Sequence, residues 1–149
     1  YAVSFNQVKT TLKFGNKTLE EWCTHFNFVI SDDIDFLELV DLNRKIDELT
    51  SVAHNNYGIS NTTYNLLKRG RDKKAIKAYS AMMASVNKRP SVAEGENRIA
   101  AECSEEDDKL SVAKAFVDFW DEQIKLLVKR SKVIEQLFWS LRNHKEATE

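Results

Sequence analysis

The chain of 149 residues contains 42% hydrophobic and 30% charged residues, with 22 Lys and Arg against 23 Asp and Glu. This composition excludes a disordered or fibrous chain, and the formal net charge of −1 says nothing by itself about partners, so charge has to be considered segment by segment. One proline and four glycines favour long helices over many short strands.

The N-terminal part, residues 1–33, is predicted to form an arm and a short helix. Its first 17 residues hold three lysines and no acidic residue, and Gly15 favours an arm or a short hairpin. Thr18 and Glu21 then form a capping box, since each side chain can satisfy a free N–H of the first turn. The apolar stripe predicted for this helix is Leu19, Trp22, Phe26 and Val29. The Ser-Asp-Asp segment at 31–33 predicts the start of the next helix.

A first long helix is predicted over residues 34–86. Its apolar positions step by three and four residues, a spacing typical of a coiled-coil seam. They are Leu39, Leu42, Ile46, Leu49 and Ala53, followed later by Ala75, Tyr79, Met82 and Val86. Between these groups the polar segment 54–63 contains Gly58, which predicts a kink or a short loop.

Pro90, the only proline, predicts a turn at residues 87–90 and a second long helix over 91–146. A proline is tolerated in the first turn of a helix but not in its interior. Ser91 and Glu94 supply a second capping box. The seam of this helix keeps a rhythm of three and four: Leu110, Ala113, Val117, Trp120, Ile124, Leu127, Ser131, Ile134, Phe138 and Leu141.

Two long helices of similar length joined by a tight turn predict an all-α domain built on an antiparallel coiled-coil hairpin. In this alignment residue i faces roughly residue 178 − i, so the basic segment 68–77 faces the acidic segment 101–110. The acidic residues between 32 and 48 likewise face the basic residues between 130 and 146. We therefore expect Arg71 to lie beside Glu106 or Asp107.

No residue pattern indicates catalysis. The three histidines have no metal-ligand spacing, and the chain lacks a phosphate-binding loop and a nucleophile elbow. Cys23 and Cys103 are expected to be free thiols. No segment is apolar enough to suggest a membrane span or a signal peptide. We expect a cytoplasmic protein that is not an enzyme and needs no cofactor.

The basic segment from Lys68 to Lys77 is the best candidate for a nucleic-acid surface, because it holds six cations and one acid. At about 100° per residue, Lys68 and Arg71 are predicted to point inward and to face acids. The residues predicted to contact single-stranded DNA are Arg69, Lys73, Lys74 and Lys77. The alternative is that the cations of this segment only pair with the acids opposite.

Protein contacts are predicted at two other places. Phe119 and Trp139 lie off the seam, so they are expected to bury against the N-terminal helix or against another subunit of a homo-oligomer. Asn87, Lys88 and Arg89 lie at the tip of the hairpin, where a protein partner could bind.

The segment "AKAFVDFWDEQIKLLVKRSKVIEQLFWSLR" follows a polar turn and a charged helix. Over about residues 62–142 this arrangement resembles the phage recombination mediator (UvsY-like) accessory proteins. The resemblance implies a helical, non-enzymatic oligomer that binds single-stranded DNA and helps load a recombinase. The alternative is a helical adaptor or inhibitor that binds a protein through its tip or aromatic faces and does not bind nucleic acid.

Overall fold

The computed structural model describes residues 11–85 and 89–148, and helices make up most of these residues. The elements, in chain order, are β1 (Lys13–Phe14), β2 (Lys17–Thr18), α1 (Leu19–Phe26), α2 (Phe36–Ser85), α3 (Val92–Glu102) and α4 (Ser104–Thr148). The all-α prediction is confirmed, since the described strands are two short segments that pair in one antiparallel hairpin.

Helices α2 and α4 pack against each other as an antiparallel hairpin. Its register is fixed by two ion pairs close to the predicted alignment. Arg71 Nε lies 2.9 Å from Asp107 Oδ1, and Lys74 Nζ lies 2.9 Å from Glu106 Oε1. The predicted contact of Arg71 is therefore confirmed.

The core consists of two clusters along the α2–α4 seam. The larger, in the middle of the molecule, is built from Leu19, Phe26, Leu49, Ala53, Phe119, Trp120 and Leu127. The smaller, near the open end where α2 begins and α4 ends, contains Leu39, Ile46 and Ile134. Each large apolar side chain buried in this way contributes about 1.5–3 kcal/mol. The predicted seam is confirmed at Leu39, Ile46, Leu49, Ala53, Trp120, Leu127 and Ile134, whereas Ser131 is exposed.

Strands β1 and β2 and helix α1 together cover the larger cluster, and we name them the N-terminal lid. Gly15, at φ 66°, makes the turn between β1 and β2. The predicted cap at Thr18 is confirmed, because Thr18 Oγ1 accepts a hydrogen bond from the Glu21 N–H at 3.1 Å, and the Thr18 hydroxyl donates to Glu21 Oε1 at 3.2 Å. Trp22 Nε1 donates to the Phe14 carbonyl oxygen at 2.9 Å and fixes α1 to the β1–β2 hairpin.

Two predicted boundaries near α1 are wrong. The helix ends at Phe26, and Val29 is 90% exposed rather than part of a buried stripe. The first long helix begins at Phe36, because the Asp35 carboxylate accepts a hydrogen bond from the Glu38 N–H at 2.8 Å and caps it. Ser31 instead makes a local turn.

Helix α2 is continuous through residues 54–63, so the predicted kink or loop there is wrong. Asn56 and Ser60 are buried polar residues, and they continue the three- and four-residue spacing of inward-facing positions across this segment. Gly58 lies on the exposed side, where its missing side chain costs no packing. Packing against α4 outweighs the weak helix propensity of the polar segment.

The second arm is divided at Cys103, so the predicted continuous helix over 91–146 is wrong. Cys103 has φ −99° and ψ 11°, and its N–H donates to the Ile99 carbonyl oxygen at 2.9 Å. Glu105, Glu106 and Asp107 follow in the first turn of α4, where negative side chains are favoured by the helix dipole. The acidic segment therefore favours a new helix start.

The turn that joins the two arms contains the predicted breaker and cap. Arg89 and Pro90 are not helical, and Ser91 Oγ accepts a hydrogen bond from the Glu94 N–H at 3.2 Å. The predicted cap at Ser91 is therefore confirmed. The predicted tip residues Asn87 and Lys88 lie outside the described residues.

Candidate functional site

Two of the six cations between Lys68 and Lys77 are used within the fold. Arg71 is bonded to Asp107 and Lys74 to Glu106, across the seam. The hydrogen bond to Asp107 raises the pKa of Arg71, and the hydrogen bond to Glu106 raises the pKa of Lys74. The same bond lowers the pKa of Glu106.

The structure corrects two predicted orientations in this segment. Lys74 was predicted to point away from the seam, but its side chain reaches across to Glu106. Lys68 was predicted to point inward, but it is exposed and makes no ion pair with any described residue. Both differ from prediction because the flexible four-carbon side chain of lysine can place its ammonium group away from the direction in which the Cα–Cβ bond points.

Four cations remain exposed, and together they form what we name the cationic face: Lys68, Arg69, Lys73 and Lys77. None of them makes an ion pair within the described part of the chain. Asp72 is the acidic residue within this stretch of α2. The face extends over nine residue steps of helix, which corresponds to about 14 Å.

Apolar side chains are exposed among and beside these cations. Leu66 is 61% exposed, Ile76 is 66% exposed and Tyr79 is 44% exposed. Tyr79 was predicted to lie on the seam, and the structure instead places it at the edge of a groove between α2 and α3. Helical spacing alone gave no sign of this groove, because it depends on where α3 packs.

The prediction that Phe119 binds a protein partner is wrong, because Phe119 is fully buried. It lies with its ring centre 4.9 Å from that of Trp120, whose ring also contacts Phe14, Trp22 and Phe26. The N-terminal lid therefore packs over these aromatic residues within one chain. Their spacing in the sequence does not distinguish between the N-terminal helix and another subunit as the packing partner.

Apolar side chains are exposed at the open end of the hairpin. Trp139, predicted to bind protein, is 57% exposed, and Phe36 and Leu37 are 60% and 75% exposed. The ring of Phe36 lies edge-on to that of Phe138, with the ring centres 5.7 Å apart. We name Phe36, Leu37 and Trp139 the open-end patch.

Other chemistry is sparse. Among the described residues no group of three His, Cys, Asp or Glu side chains could hold a metal ion. Cys103 is a buried free thiol, and Cys23 Sγ accepts a hydrogen bond from Gln123 Nε2 at 3.9 Å. The pKa of His25 is lowered by burial and by the neighbouring charges of Lys17 and Lys45. In the described ranges, every helix is either too short or too polar to cross a membrane.

The fold and this surface define a helical hairpin that carries an uncompensated cationic face on one long helix. Comparisons with protein-family models, curated proteins and solved structures gave no match for the chain.

Proposed function

We propose that the protein is a non-enzymatic accessory factor that binds single-stranded DNA through its cationic face. The observation that carries the proposal is the exposure of four cations on one stretch of α2, beyond those that pair with α4. Phosphate groups attract such a cluster, because each neutralised phosphate releases condensed counterions. A role in DNA recombination or repair, helping to load a recombinase, follows from the resemblance to the phage mediator proteins.

The exposed apolar side chains support a single strand rather than a generic polyanion. Contact with aromatic or apolar surface stabilises the binding of unpaired bases, whereas a phosphate polymer without bases gains no such stabilisation. Ile76 offers such surface within the length of the cationic face, and Tyr79 offers it just beyond Lys77. A continuous helix also holds the cations at fixed positions relative to one another.

The test is binding of a labelled single-stranded oligonucleotide at increasing salt, with the parent and Lys73→Ala/Lys77→Ala. Each lost contact with a single-strand phosphate should lower the salt slope by about 0.7, so the double variant should lose roughly 1.4. Folding should be nearly unchanged, because exposed cations contribute little to stability and Ala favours helix.

The matched control is Lys129→Ala/Lys132→Ala, which removes two exposed cations from α4. It changes the net charge equally but leaves the cationic face intact, so its salt slope should equal that of the parent. A folded Lys73→Ala/Lys77→Ala variant that binds as tightly as the parent, with the same slope, would overturn the proposal.

A second candidate function is supported by the open-end patch. A helical adaptor or inhibitor would use Phe36, Leu37 and Trp139, since exposed apolar patches mark sites of protein contact. It would bind no single-stranded DNA even at low salt. If the tip serves this function instead, changes at Asn87, Lys88 or Arg89 should abolish partner binding, and the lysine variant should have no effect.

A further inference from the structure

A small groove lies at the tip of the hairpin, where α3 packs against the end of α2. It encloses about 260 Å³. Its apolar lining is Tyr79, Met82, Met83, Pro90, Val92 and Ile99. Two charged residues, Arg89 and Glu96, also line it, together with Ser91 and Gly95. We name this feature the tip groove.

A glycine at the contact between the helices contributes to the shape of the tip groove. Gly95 is buried, and a Cβ atom placed on it would lie 3.5 Å from Met82 Cε. An alanine would therefore fit in ordinary van der Waals contact, whereas a larger side chain would extend into the space between the helices. The small residue lets α3 approach α2 while the groove beside it stays open.

We propose that the tip groove receives one unpaired base of a strand bound on the cationic face. This inference rests on the proposed function and specifies how that site selects single strands. A base in a duplex is stacked and paired, so it cannot enter without the cost of flipping out. A base in a single strand is free to enter.

The groove has the chemistry that a base requires. The ring of Tyr79 is partly exposed and offers a stacking surface, and methionine side chains adapt to flat ligands of different size. Arg89 can donate hydrogen bonds to ring nitrogen or carbonyl acceptors, and Glu96 can accept them from an amino group. The volume lies below the range of about 300–1,000 Å³ typical of drug-sized ligands, which suits one ring system.

The position of the groove relative to the cations also fits. Tyr79 follows Lys73 by six residues and Arg69 by ten, which correspond to about 9 Å and 15 Å along α2. Successive nucleotides of a stacked strand advance by about 3.4 Å along its axis, so a few nucleotides bridge this distance. Arg89 stands at the groove itself, where it can neutralise the phosphate of the inserted nucleotide.

The experiment compares three probes of equal length: a single-stranded oligonucleotide, a sugar–phosphate strand without bases, and a duplex. Tyr79→Ala should weaken binding of the single strand by roughly 5- to 100-fold, the range that one stacked base supplies. Binding of the other two probes and the salt slope should not change. Tyr79→Phe keeps the ring and should bind like the parent.

Ile59→Ala is the matched control, because it removes an exposed apolar side chain from the same helix, away from both the groove lining and the cationic face. It should lower affinity much less than Tyr79→Ala. Equal binding of the base-free and normal strands by the parent would overturn the inference, and so would an unchanged affinity of Tyr79→Ala. In either case a loss of salt slope in Lys73→Ala/Lys77→Ala would still support the proposed function. A parent that binds no single strand at low salt overturns both.

Discussion

Phe119 and Trp139 show how differently one helix uses two aromatic residues that both lie off its seam. Phe119 is fully buried beneath the N-terminal lid, whereas Trp139 is 57% exposed near the end of α4. The difference arises from α1, which crosses α4 near Phe119 and ends before it reaches Trp139. Arg130 marks this limit, since its guanidinium donates to the Phe26 carbonyl oxygen and to Asn27 Oδ1 at the end of α1.

Glu106 is expected to make stability depend on pH. The hydrogen bond from Lys74 lowers its pKa below the ordinary value of 4.5, so the ionised carboxylate stabilises the folded state above that pH. This contribution is lost as the pH falls through the lowered pKa. Glu106→Gln should therefore reduce the urea midpoint slightly near neutral pH, and the difference from the parent should shrink in strong acid.

Glu105→Gln is the control for this prediction, because Glu105 is exposed and its one ion pair among the described residues is with Lys109 of its own helix, at 3.5 Å. It should change the midpoint less than Glu106→Gln does near neutral pH. A Glu106→Gln variant with the same deficit in acid as at neutral pH would show that the effect comes from packing and not from the charge.

At the scale of the element, the continuity of α2 makes Gly58 a site where stability can be gained. Gly58 is helical and exposed, and apart from its chain neighbours and the backbone of its own helix, no atom of the described residues lies within 4 Å of the position that its Cβ would take. Gly58→Ala should stabilise the protein by about 0.5–1 kcal/mol, because alanine loses less backbone entropy in a helix. Thermal unfolding measures the change.

Gly15→Ala provides the opposite control, since Gly15 has φ 66° and alanine would be strained there by about 1–2 kcal/mol. If the segment 54–63 formed the kink predicted from its polar sequence, Gly58→Ala would give no such gain. A loss of stability in Gly58→Ala would contradict a continuous α2.

Helix periodicity, the caps and the turn at Pro90 could be predicted from the sequence, whereas the interruption at Cys103 and the continuity of α2 could not. The seam from Leu39 to Ala53 and the caps at Thr18 and Ser91 depend on local spacing and local hydrogen bonds. The acids that follow Cys103 favour a helix start, but they also fit the interior of one long helix, so their presence did not predict the interruption. The polar segment around Gly58 misled because packing against α4 holds it in a helix, which no local pattern shows.

At the scale of the whole molecule, opposite charge blocks predicted the register, and the contact of Arg71 with Asp107 confirmed it. The candidate site was predicted less well. Helical angles assigned Arg69, Lys73 and Lys77 to the exposed side correctly, but they misplaced Lys68 and Lys74. The reach of a flexible side chain across a helix pair does not follow from its angular position.

The open-end patch predicts self-association. Phe36, Leu37 and Trp139 each expose more than half of their side chains, together roughly 300–400 Å² of apolar surface. A patch of this size marks a contact site, but a standard interface buries about 800 Å² on each partner. We therefore expect a weak homo-oligomer whose assembly depends on concentration and persists in high salt, because its contact is apolar.

Sedimentation of the parent over a range of micromolar concentrations should show a dimer or larger species, and Phe36→Ala/Trp139→Ala should shift the protein to monomer. Ile59→Ala/Leu66→Ala is the matched control, since it removes two exposed apolar side chains from the middle of α2. It should leave assembly unchanged, because those residues lie away from the open end. A parent that stays monomeric at every concentration would contradict the prediction. Loss of assembly in the control alone would instead place the contact on the outer side of α2, next to the cationic face, where assembly and DNA would compete.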